Sequence, residues 1–315
     1  MKLALVFPGQ GAQTIGMGRA LVDRYPQSRR VFEEVDAALE ERLSSLVWEG
    51  SIEELTLTAN AQPALMATSI AALRALQAEG FDLDAVTFVA GHSLGEYSAL
   101  CASGSLSLFD TARLLRTRGR AMQEAMPEGK GRMAALLGLD IHAVTDIAIE
   151  ASARGVCEVA NDNDPKQVVV SGEAAAVEHA AELAKSRGAR RAVMLPVSAP
   201  FHCSLMKPAE AKMQLALDEV DIAKAEIPVV ANVLAAPVSA PTEIRRSLIR
   251  QMTGTVRWRE SILAMERAGI SRIWELGSGA ALCGMARRTA SSISGHAVGG
   301  PEQVKDVLNQ FEGTQ

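Results

Sequence analysis

Short apolar runs alternate with longer amphipathic segments along most of the chain. Residues 2–7 (KLALVF) and 85–90 (AVTFVA) predict buried strands, and each is followed by glycine and then by helix-forming residues. Parallel strands need long crossover connections, which are usually helices. The alternation therefore predicts an α/β fold with a parallel sheet covered by helices on both faces.

Further helices and strands are predicted from the spacing of apolar residues. Pro63 suits the first turn of a helix. Helices are predicted at residues 27–44, 62–79 and 108–126, and further strands at 227–233 and 272–276, each leading into a helical segment.

The middle of the chain follows a different order. Residues 126–133 (MPEGKGRM) are rich in turn formers and residues 196–200 (PVSAP) hold two prolines, so both predict junctions. Between them the order is β-α-β-β-α-β, the split ferredoxin-like arrangement. The strands are predicted at 133–139, 156–161, 167–172 and 190–197, and the helices at 141–154 and 173–187.

These patterns together predict two lobes with a cleft between them. Residues 1–126 and 198–315 form a large α/β-hydrolase-like lobe with a parallel sheet. Residues 127–197 form a small, inserted, ferredoxin-like α+β lobe.

Composition excludes several classes of protein. With 48% apolar and 22% charged residues, the chain can fill a sizeable core, and its net charge of −5 gives no general case for binding nucleic acid. No run approaches the roughly 18 apolar residues of a membrane span. The first apolar stretch is too short for the core of a secretory signal. We expect a cytoplasmic location.

Four cysteines lie far apart and form no CxxC pair. This spacing argues against a zinc site and against a disulfide framework. We expect reduced thiols, no metal and no cofactor.

The sequence GHSLG, residues 91–95, places Ser93 between two glycines where a strand ends and a helix begins. This is the pattern of a nucleophile elbow, in which a strained turn presents the serine hydroxyl at the carboxyl end of the sheet. The N–H of Leu94 would then serve as an oxyanion donor. The alternative is an ordinary turn in which Ser93 only caps the helix.

A nucleophilic serine needs a base, and His202 is favoured by elimination. It follows Pro200 at the junction between the lobes, although a structural histidine is the alternative. His142 and His179 are predicted to lie on the surface, and His296 in a loop. His92 is next to Ser93 but is expected to point in another direction.

The segment FPGQGAQ, residues 7–13, follows the first strand. Its glycine-rich turn could offer backbone N–H groups to an anion or oxyanion. It does not match the nucleotide-binding glycine patterns. A simple strand-to-helix turn is the alternative.

Four arginines lie close together on the helix predicted at 108–126. Most such clusters are solvated. The alternative is that one arginine turns inward to bind a carboxylate. The spacing does not choose among Arg113, Arg116, Arg118 and Arg120.

Several long segments resemble malonyl-CoA:acyl-carrier-protein transacylases of the stand-alone bacterial type. The match runs in order over nearly the whole chain. Its segments are FPGQGAQ at 7–13, GHSLGEYSAL at 91–100, RTRGRAMQEAMPEG at 116–129, VANDND at 159–164, PVSAPFHCSLM at 196–206 and WELGSGAALCGMARR at 274–288.

The resemblance implies transfer of malonyl from malonyl-CoA to the phosphopantetheine thiol of acyl carrier protein, for fatty acid synthesis. Ser93 would carry the malonyl ester and His202 would act as base and acid. A backbone carbonyl in the segment around Gln251 would orient His202, and Arg118 would pair with the malonyl carboxylate.

Further roles also follow from the resemblance. Gln10 and Leu94 would supply the oxyanion N–H groups, and Asn161 and Asn163 would line the cleft. Phe201 stands where stand-alone members often have serine; in related modular domains phenylalanine accompanies a preference for malonyl over methylmalonyl.

Another departure from the family pattern is Ser278, which stands where the family has proline. We expect it to affect only the stiffness of the turn.

Carrier proteins of this pathway are acidic, so a net negative enzyme needs a local basic patch to dock them. We predict that two clusters border the cleft and steer the carrier, with solvated surface charge as the alternative. They are Lys185, Arg187, Arg190 and Arg191 in one cluster, and Arg287 and Arg288 in the other.

Three other functions remain open from the residues alone. The first is a related acyltransferase of a malonate decarboxylase or polyketide system. The second is a serine esterase, which needs Ser93 and His202 but no selective arginine. The third is a non-catalytic acyl-thioester binding protein.

Overall fold

The computed structural model describes residues 2–197 and 199–312, and its strands form two separate sheets. The predicted lobe boundary at residue 198 and the last three residues of the predicted large lobe lie outside the described residues. The strands are β1 (Lys2–Phe7), β2 (Val86–Gly91), β3 (Gly131–Leu137), β4 (Cys157–Asp164), β5 (Gln167–Glu173), β6 (Arg191–Met194), β7 (Val229–Ala231), β8 (Ala236–Val238), β9 (Ile270–Leu276) and β10 (Ser294–Val298).

Helices connect most of these strands. None of the helices in the described part of the chain is both long and apolar enough to cross a membrane. The helices are α1 (Arg19–Arg24), α2 (Pro26–Leu39), α3 (Leu43–Glu49), α4 (Ile52–Thr56), α5 (Thr58–Ala78), α6 (Gly95–Ala102), α7 (Leu108–Glu124), α8 (Ile141–Ala151), α9 (Ala174–Ser186), α10 (Lys207–Asp218), α11 (Pro241–Gln251), α12 (Trp258–Arg267), α13 (Ala281–Thr289) and α14 (Pro301–Glu312), with short 3₁₀ turns at Leu83–Ala85, Ser152–Arg154 and Ser204–Met206.

The larger sheet has the strand order β10-β9-β1-β2-β7-β8, and all its neighbours are parallel except the hairpin of β7 and β8. The central strand β1 is buried from Leu3 to Phe7, as a strand covered on both faces must be. Because β1 and β2 are parallel neighbours, their carboxyl ends meet at one edge. There the N–H of His92 donates to the carbonyl of Phe7 at 3.0 Å, so both glycine-rich turns lie side by side.

The smaller sheet is antiparallel, with the strand order β4-β5-β3-β6. Its element order is the β-α-β-β-α-β order expected from the sequence. Alternate residues of β3 face opposite sides: Ala134 and Leu136 pack under α8 and α9, whereas Met133 and Ala135 join the core of the rest of the chain.

Strand β4 joins the smaller sheet to the segment before α12. The N–H of Val256 donates to Ala160 O and the N–H of Asp162 donates to Val256 O, both at 2.9 Å. Arg259 forms an ion pair with Asp162, and Arg288 forms one with Asp164. The cleft is therefore closed along one side by backbone bonds and two ion pairs.

Two predicted helices differ from the observed ones. The helix predicted at 27–44 is two helices, because Glu40 takes a left-handed conformation (φ 54°) that ends α2. Helix α5 begins at Thr58, four residues before the predicted start, so Pro63 lies inside it.

The strands also show differences. Residues 227–233 lead into the β7–β8 hairpin instead of a helix, and Ala235 provides the positive φ of its turn. His296 lies on β10, so its assignment to a loop was wrong. Strand β6 ends at Met194, three residues earlier than expected, whereas β4 extends to Asp164.

Candidate active site

Ser93 lies on a strained turn between β2 and α6. Its φ of 54° is in the left-handed region, which costs a non-glycine residue energy. Both flanking glycines are needed for close approach: a Cβ on Gly91 would lie 1.9 Å from the carbonyl of Gly95, and one on Gly95 would lie 2.2 Å from Phe7 O. Leu94, not Ser93, is the N-cap of α6, so the capping alternative is wrong.

The side chains of Ser93 and His202 are directly hydrogen-bonded, with 2.7 Å between Ser93 Oγ and His202 Nε2. His202 Nδ1 lies 2.8 Å from the backbone oxygen of Gln251. A carbonyl oxygen only accepts, so Nδ1 carries the proton and Nε2 presents its lone pair to the serine hydroxyl. This is the arrangement of a nucleophile with its base.

The environment of His202 keeps its imidazole neutral. The residue is 3% exposed and has a φ of 58°. Burial, and then the positive charge of Arg118, lower the pKa of His202 to about 3. At neutral pH the ring is therefore free to accept a proton from Ser93.

Arg118 is the buried cation of the site, 1% exposed. Its guanidinium donates to Ser93 Oγ at 3.0 Å, to Gln251 Oε1 at 2.8 Å and to Gln62 Oε1 at 2.7 Å. All three partners are uncharged, and no acidic side chain among residues 2–197 and 199–312 forms an ion pair with it. Burial lowers the pKa of Arg118, opposed by Tyr97 and Glu96. A cation without a paired anion beside a serine can bind a carboxylate.

The other arginines of α7 have different environments. Arg116 is also buried, but it pairs with Glu41 at 3.0 Å and bonds Asn60. Arg113 and Arg120 are exposed. Two arginines turn inward, and only Arg118 reaches the serine.

A cavity of about 190 Å³ lies against Ser93, between the larger sheet and the smaller one. Five of the residues predicted for the site line it, besides Ser93 and His202: Gln10, Leu94, Arg118, Asn161 and Phe201. Its apolar wall is formed by Met122, Met133, Leu195 and Val197, together with Phe201. The lining of the cavity thus combines apolar side chains with Arg118 and Ser93.

Asn163 does not line this cavity. Its Oδ1 lies 2.8 Å from His92 Nε2, and the His92 ring lies 5.8 Å from that of Trp258. Burial lowers the pKa of His92. His92 is thus bonded across the cleft and away from the serine, as its position on the turn predicted.

Three buried polar side chains of the site were missed from the sequence: Gln62, Glu96 and Asn232. Asn232 Oδ1 accepts the N–H of Ser93 at 2.8 Å. A polar residue at the end of the apolar run IPVVAN, and an acid in the apolar helix EYSALCA, were the available signals. Gln62 had no local signal.

Some of the predicted docking arginines are bonded to acidic side chains. Arg190, Arg191 and Arg287 are exposed. Arg288 Nε instead bonds the buried carboxylate of Asp164 at 2.8 Å. Arg187 of the first cluster pairs with Glu150.

Ser278 does more than alter turn stiffness. Its hydroxyl donates to Ala12 O at 2.5 Å and so ties the WELGSG turn to the FPGQGAQ segment. That segment carries Gln10.

Comparison with known proteins agrees with this geometry. The acyl transferase domain family matches residues 4–298. A malonyl CoA-acyl carrier protein transacylase of Bacillus subtilis strain 168 is 46% identical over 99% of this chain and 98% of its own. The chain belongs to the malonyl CoA-acyl carrier protein transacylase family.

Solved structures of this family have the same fold. The acyl-carrier-protein-S-malonyltransferase of Bartonella henselae superposes with a TM-score of 0.97 at 51% identity, covering 99% of this chain and 100% of that one. A malonyl-transacylase solved in complex with a type II polyketide synthase acyl-carrier protein is also similar, with a TM-score of 0.95 at 38% identity over 98% of this chain and 100% of that one. The mixed α/β architecture with a second, antiparallel sheet is therefore that of the family.

Proposed function

We propose that this chain transfers malonyl from malonyl-CoA to the phosphopantetheine thiol of acyl carrier protein, for fatty acid synthesis, through a malonyl ester on Ser93. The observation that carries this proposal is the buried guanidinium of Arg118, 3.0 Å from Ser93 Oγ and without an acidic partner among the described residues. An esterase needs the serine and the base but not this cation.

In the first step Ser93 Oγ attacks the thioester carbonyl while its proton passes to His202 Nε2. The C–S bond then breaks, the sulfur of coenzyme A leaves with the proton from His202, and the malonyl ester remains on Ser93. The 2.7 Å contact and the neutral imidazole suit this proton transfer.

The second step reverses these roles. The carrier thiol gives its proton to His202 Nε2 and its sulfur attacks the ester carbonyl. The C–O bond breaks, and the serine oxygen recovers the proton. Water must be kept from competing, and the apolar wall that includes Phe201 serves this purpose.

The oxyanion of both steps would be bound by the backbone N–H groups of Gln10 and Leu94. Leu94 precedes the first turn of α6, where backbone N–H groups have no partner within the helix. The Gln10 side chain is held by Thr58 Oγ1 at 3.2 Å, which fixes the segment that carries its N–H. Asn161 also lines the cavity.

The direct test is incubation of the protein with labelled malonyl-CoA, with and without carrier protein. A stable acyl-enzyme that forms without the carrier, and is discharged by it, is the expected result. Rapid release of malonate to water would instead indicate an esterase, and absence of label a binding protein.

Arg118→Ala should change the preference between substrates. A charge-assisted hydrogen bond to a carboxylate contributes about 1.5–3 kcal/mol, so kcat/KM for malonyl-CoA relative to acetyl-CoA should fall about ten- to hundredfold. The rate with acetyl-CoA should change little or rise. The kcat/KM values for the two substrates can be measured from acylation of Ser93.

Arg116→Ala is the matched control, because it removes a buried arginine of the same helix that pairs with Glu41 away from the cavity. It should lower stability and leave the malonyl preference unchanged. An equal loss for both substrates in Arg118→Ala would mean that Arg118 is structural.

The two sheets with their helices correspond to two lobes in this proposal. Residues 1–126 and 198–315 form an α/β-hydrolase-like lobe, and residues 127–197 form an inserted ferredoxin-like lobe. The Ser93 turn after β2 and the order of β3 to β6 support this division. A cytoplasmic location stays a prediction.

Carrier docking is proposed for the two basic clusters, and the test leaves Arg288 intact because a glutamate there would face the buried Asp164. The triple variant Arg190→Glu, Arg191→Glu, Arg287→Glu should slow transfer to the acidic carrier about tenfold at low salt and flatten its salt dependence. Acylation by malonyl-CoA should change less.

The matched control makes the same change in net charge at exposed arginines elsewhere, with Arg30→Glu, Arg154→Glu and Arg267→Glu. Its transfer rate should stay close to that of the wild type. Unchanged transfer by the first variant at low ionic strength would exclude this docking surface.

A further inference from the structure

Glu96 is a buried carboxyl group that neither step of the proposed reaction uses. It lies three residues after Ser93 on the apolar helix α6 and is 1% exposed. Its Oε2 accepts the backbone N–H of Asn232 at 3.0 Å and the side-chain amide of Gln251 at 2.8 Å. Within residues 2–197 and 199–312 the hydrogen-bond donors to Glu96 are amides, and a buried acid without a cation bonded to it needs a reason.

The Gln251 side chain links Glu96 to Arg118. Its Oε1 accepts from Arg118 at 2.8 Å, while its Nε2 donates to Glu96 and, at 3.0 Å, to Ser93 O. An inverted amide would turn its NH₂ group toward the guanidinium, which only donates. An ionised carboxylate only accepts. Arg118, Ser93 O and Glu96 thus all favour the same orientation of the Gln251 amide, and the charge on ionised Glu96 strengthens the hydrogen bond that holds its Nε2.

Asn232 links Glu96 to Ser93. Its backbone N–H donates to Glu96, its Oδ1 accepts the N–H of Ser93 at 2.8 Å, and its Nδ2 donates to Gly91 O at 2.7 Å. The backbone of the strained turn and the guanidinium of Arg118 are thus each one amide away from the same carboxylate.

We propose that Glu96, in its ionised form, is a positioning residue for malonyl transfer, acting through Gln251 on Arg118 and through Asn232 on Ser93. This inference rests on the proposed acylation of Ser93. It adds that the residues of the site keep their alignment only while Glu96 carries its charge.

Glu96 can gain a proton near neutral pH. Burial raises the pKa of Glu96 to about 7, against the opposing effects of the Asn232 and Gln251 hydrogen bonds and the charge of Arg118. Arg118 from α7 and Tyr97 from α6 are the charged or titratable groups that act on it, whereas Asn232, which follows β7, and Gln251 of α11 present amides. Burial raises the pKa of Tyr97 to about 12, so that group stays neutral.

The direction of the pH effect follows. As pH falls through about 7, Glu96 gains a proton and the alignment weakens, so acylation slows. His202 does not cause this loss, because its pKa is about 3. The carboxyl of the substrate also ionises well below this range.

The experiment measures kcat/KM for acylation of Ser93 by malonyl-CoA between pH 5 and 8, without carrier protein. The wild type should lose activity toward pH 5 with a midpoint near 7. Glu96→Gln should be slower at pH 8 by about ten- to hundredfold, the factor for a hydrogen bond to a charged group. Its profile should be flat and should meet that of the wild type at low pH.

The thermal stability of Glu96→Gln distinguishes a positioning role of Glu96 from a structural one. Since the native pKa lies above the unfolded one, the ionised group lowers stability as pH rises from about 4.5 to 7. Glu96→Gln should therefore have a Tm at pH 8 no lower than the wild type while acylating more slowly. Glu275→Gln, which neutralises another buried carboxyl bonded to the N–H groups of Leu282 and Cys283, should keep the wild-type pH profile.

A wild-type profile that is flat down to pH 5, or a Glu96→Gln profile that keeps the acid loss, would overturn the role of Glu96. If Glu96→Gln does not fold, the midpoint of the wild-type pH profile alone tests the role of Glu96. A wild type that is not acylated at any pH would instead overturn the proposed function.

Discussion

Replacing Ser93 with alanine should abolish the acyl-enzyme. Covalent transfer needs the serine oxygen, which lies 2.7 Å from its base and 3.0 Å from Arg118. Thr56 is another hydroxyl residue that lines the cavity, but the hydroxyl hydrogen-bonded to His202 is that of Ser93. The mass of the intact protein after incubation with malonyl-CoA measures the result directly, and we expect no malonyl adduct.

Ser98→Ala is the matched control. Ser98 is a fully buried serine on α6, the helix that follows the Ser93 turn, and its hydroxyl has no hydrogen-bond partner in the described residues. This variant should acquire the adduct as the wild type does. Ser93→Ala should still bind malonyl-CoA in a calorimetric titration, because Arg118 remains. An adduct that persists on Ser93→Ala would show that the nucleophile is another residue.

His202→Ala should slow both acylation and transfer by about 10²- to 10⁴-fold, the usual contribution of a general base. The unassisted hydroxyl of Ser93 is a poor nucleophile, and the variant has no group to receive its proton. Single-turnover acylation by malonyl-CoA and discharge by carrier protein measure the two steps separately. Circular dichroism checks that the fold is retained.

His142→Ala removes an exposed histidine of α8 and should leave both rates unchanged. If His202→Ala stays within about tenfold of the wild type, a difference of roughly 1.4 kcal/mol, the base lies elsewhere. His92, which also lines the cavity, would then be tested next.

The parts of the fold that local patterns determine could be predicted from the sequence. The burial of β1 and β2 and the order from β3 to β6 follow from apolar periodicity and turn residues. The break at Glu40 and the β7–β8 hairpin could not, because each depends on one non-glycine residue held at positive φ by its tertiary surroundings.

In the site, too, residues with local sequence patterns could be predicted, whereas residues that depend on distant contacts could not. Ser93 and His202 could be proposed from the sequence because a nucleophile elbow and a junction proline have local patterns. The choice of Arg118 over Arg116 was open from the residues alone, since both are buried on one helix and differ only in distant partners, Gln62 and Gln251 against Glu41. Glu96 and Asn232 act through contacts between elements far apart in the chain, and spacing carries no information about those.

The bonds that hold β4 to Val256 have a consequence for how the enzyme meets its carrier. Opening the cleft at this strand would break two backbone hydrogen bonds and separate Arg259 from Asp162 and Arg288 from Asp164. We therefore expect the walls around the serine to stay together throughout the cycle. On this expectation the pantetheine arm is the moving part, and its length, more than any motion of the enzyme, would set how near the body of the carrier must approach.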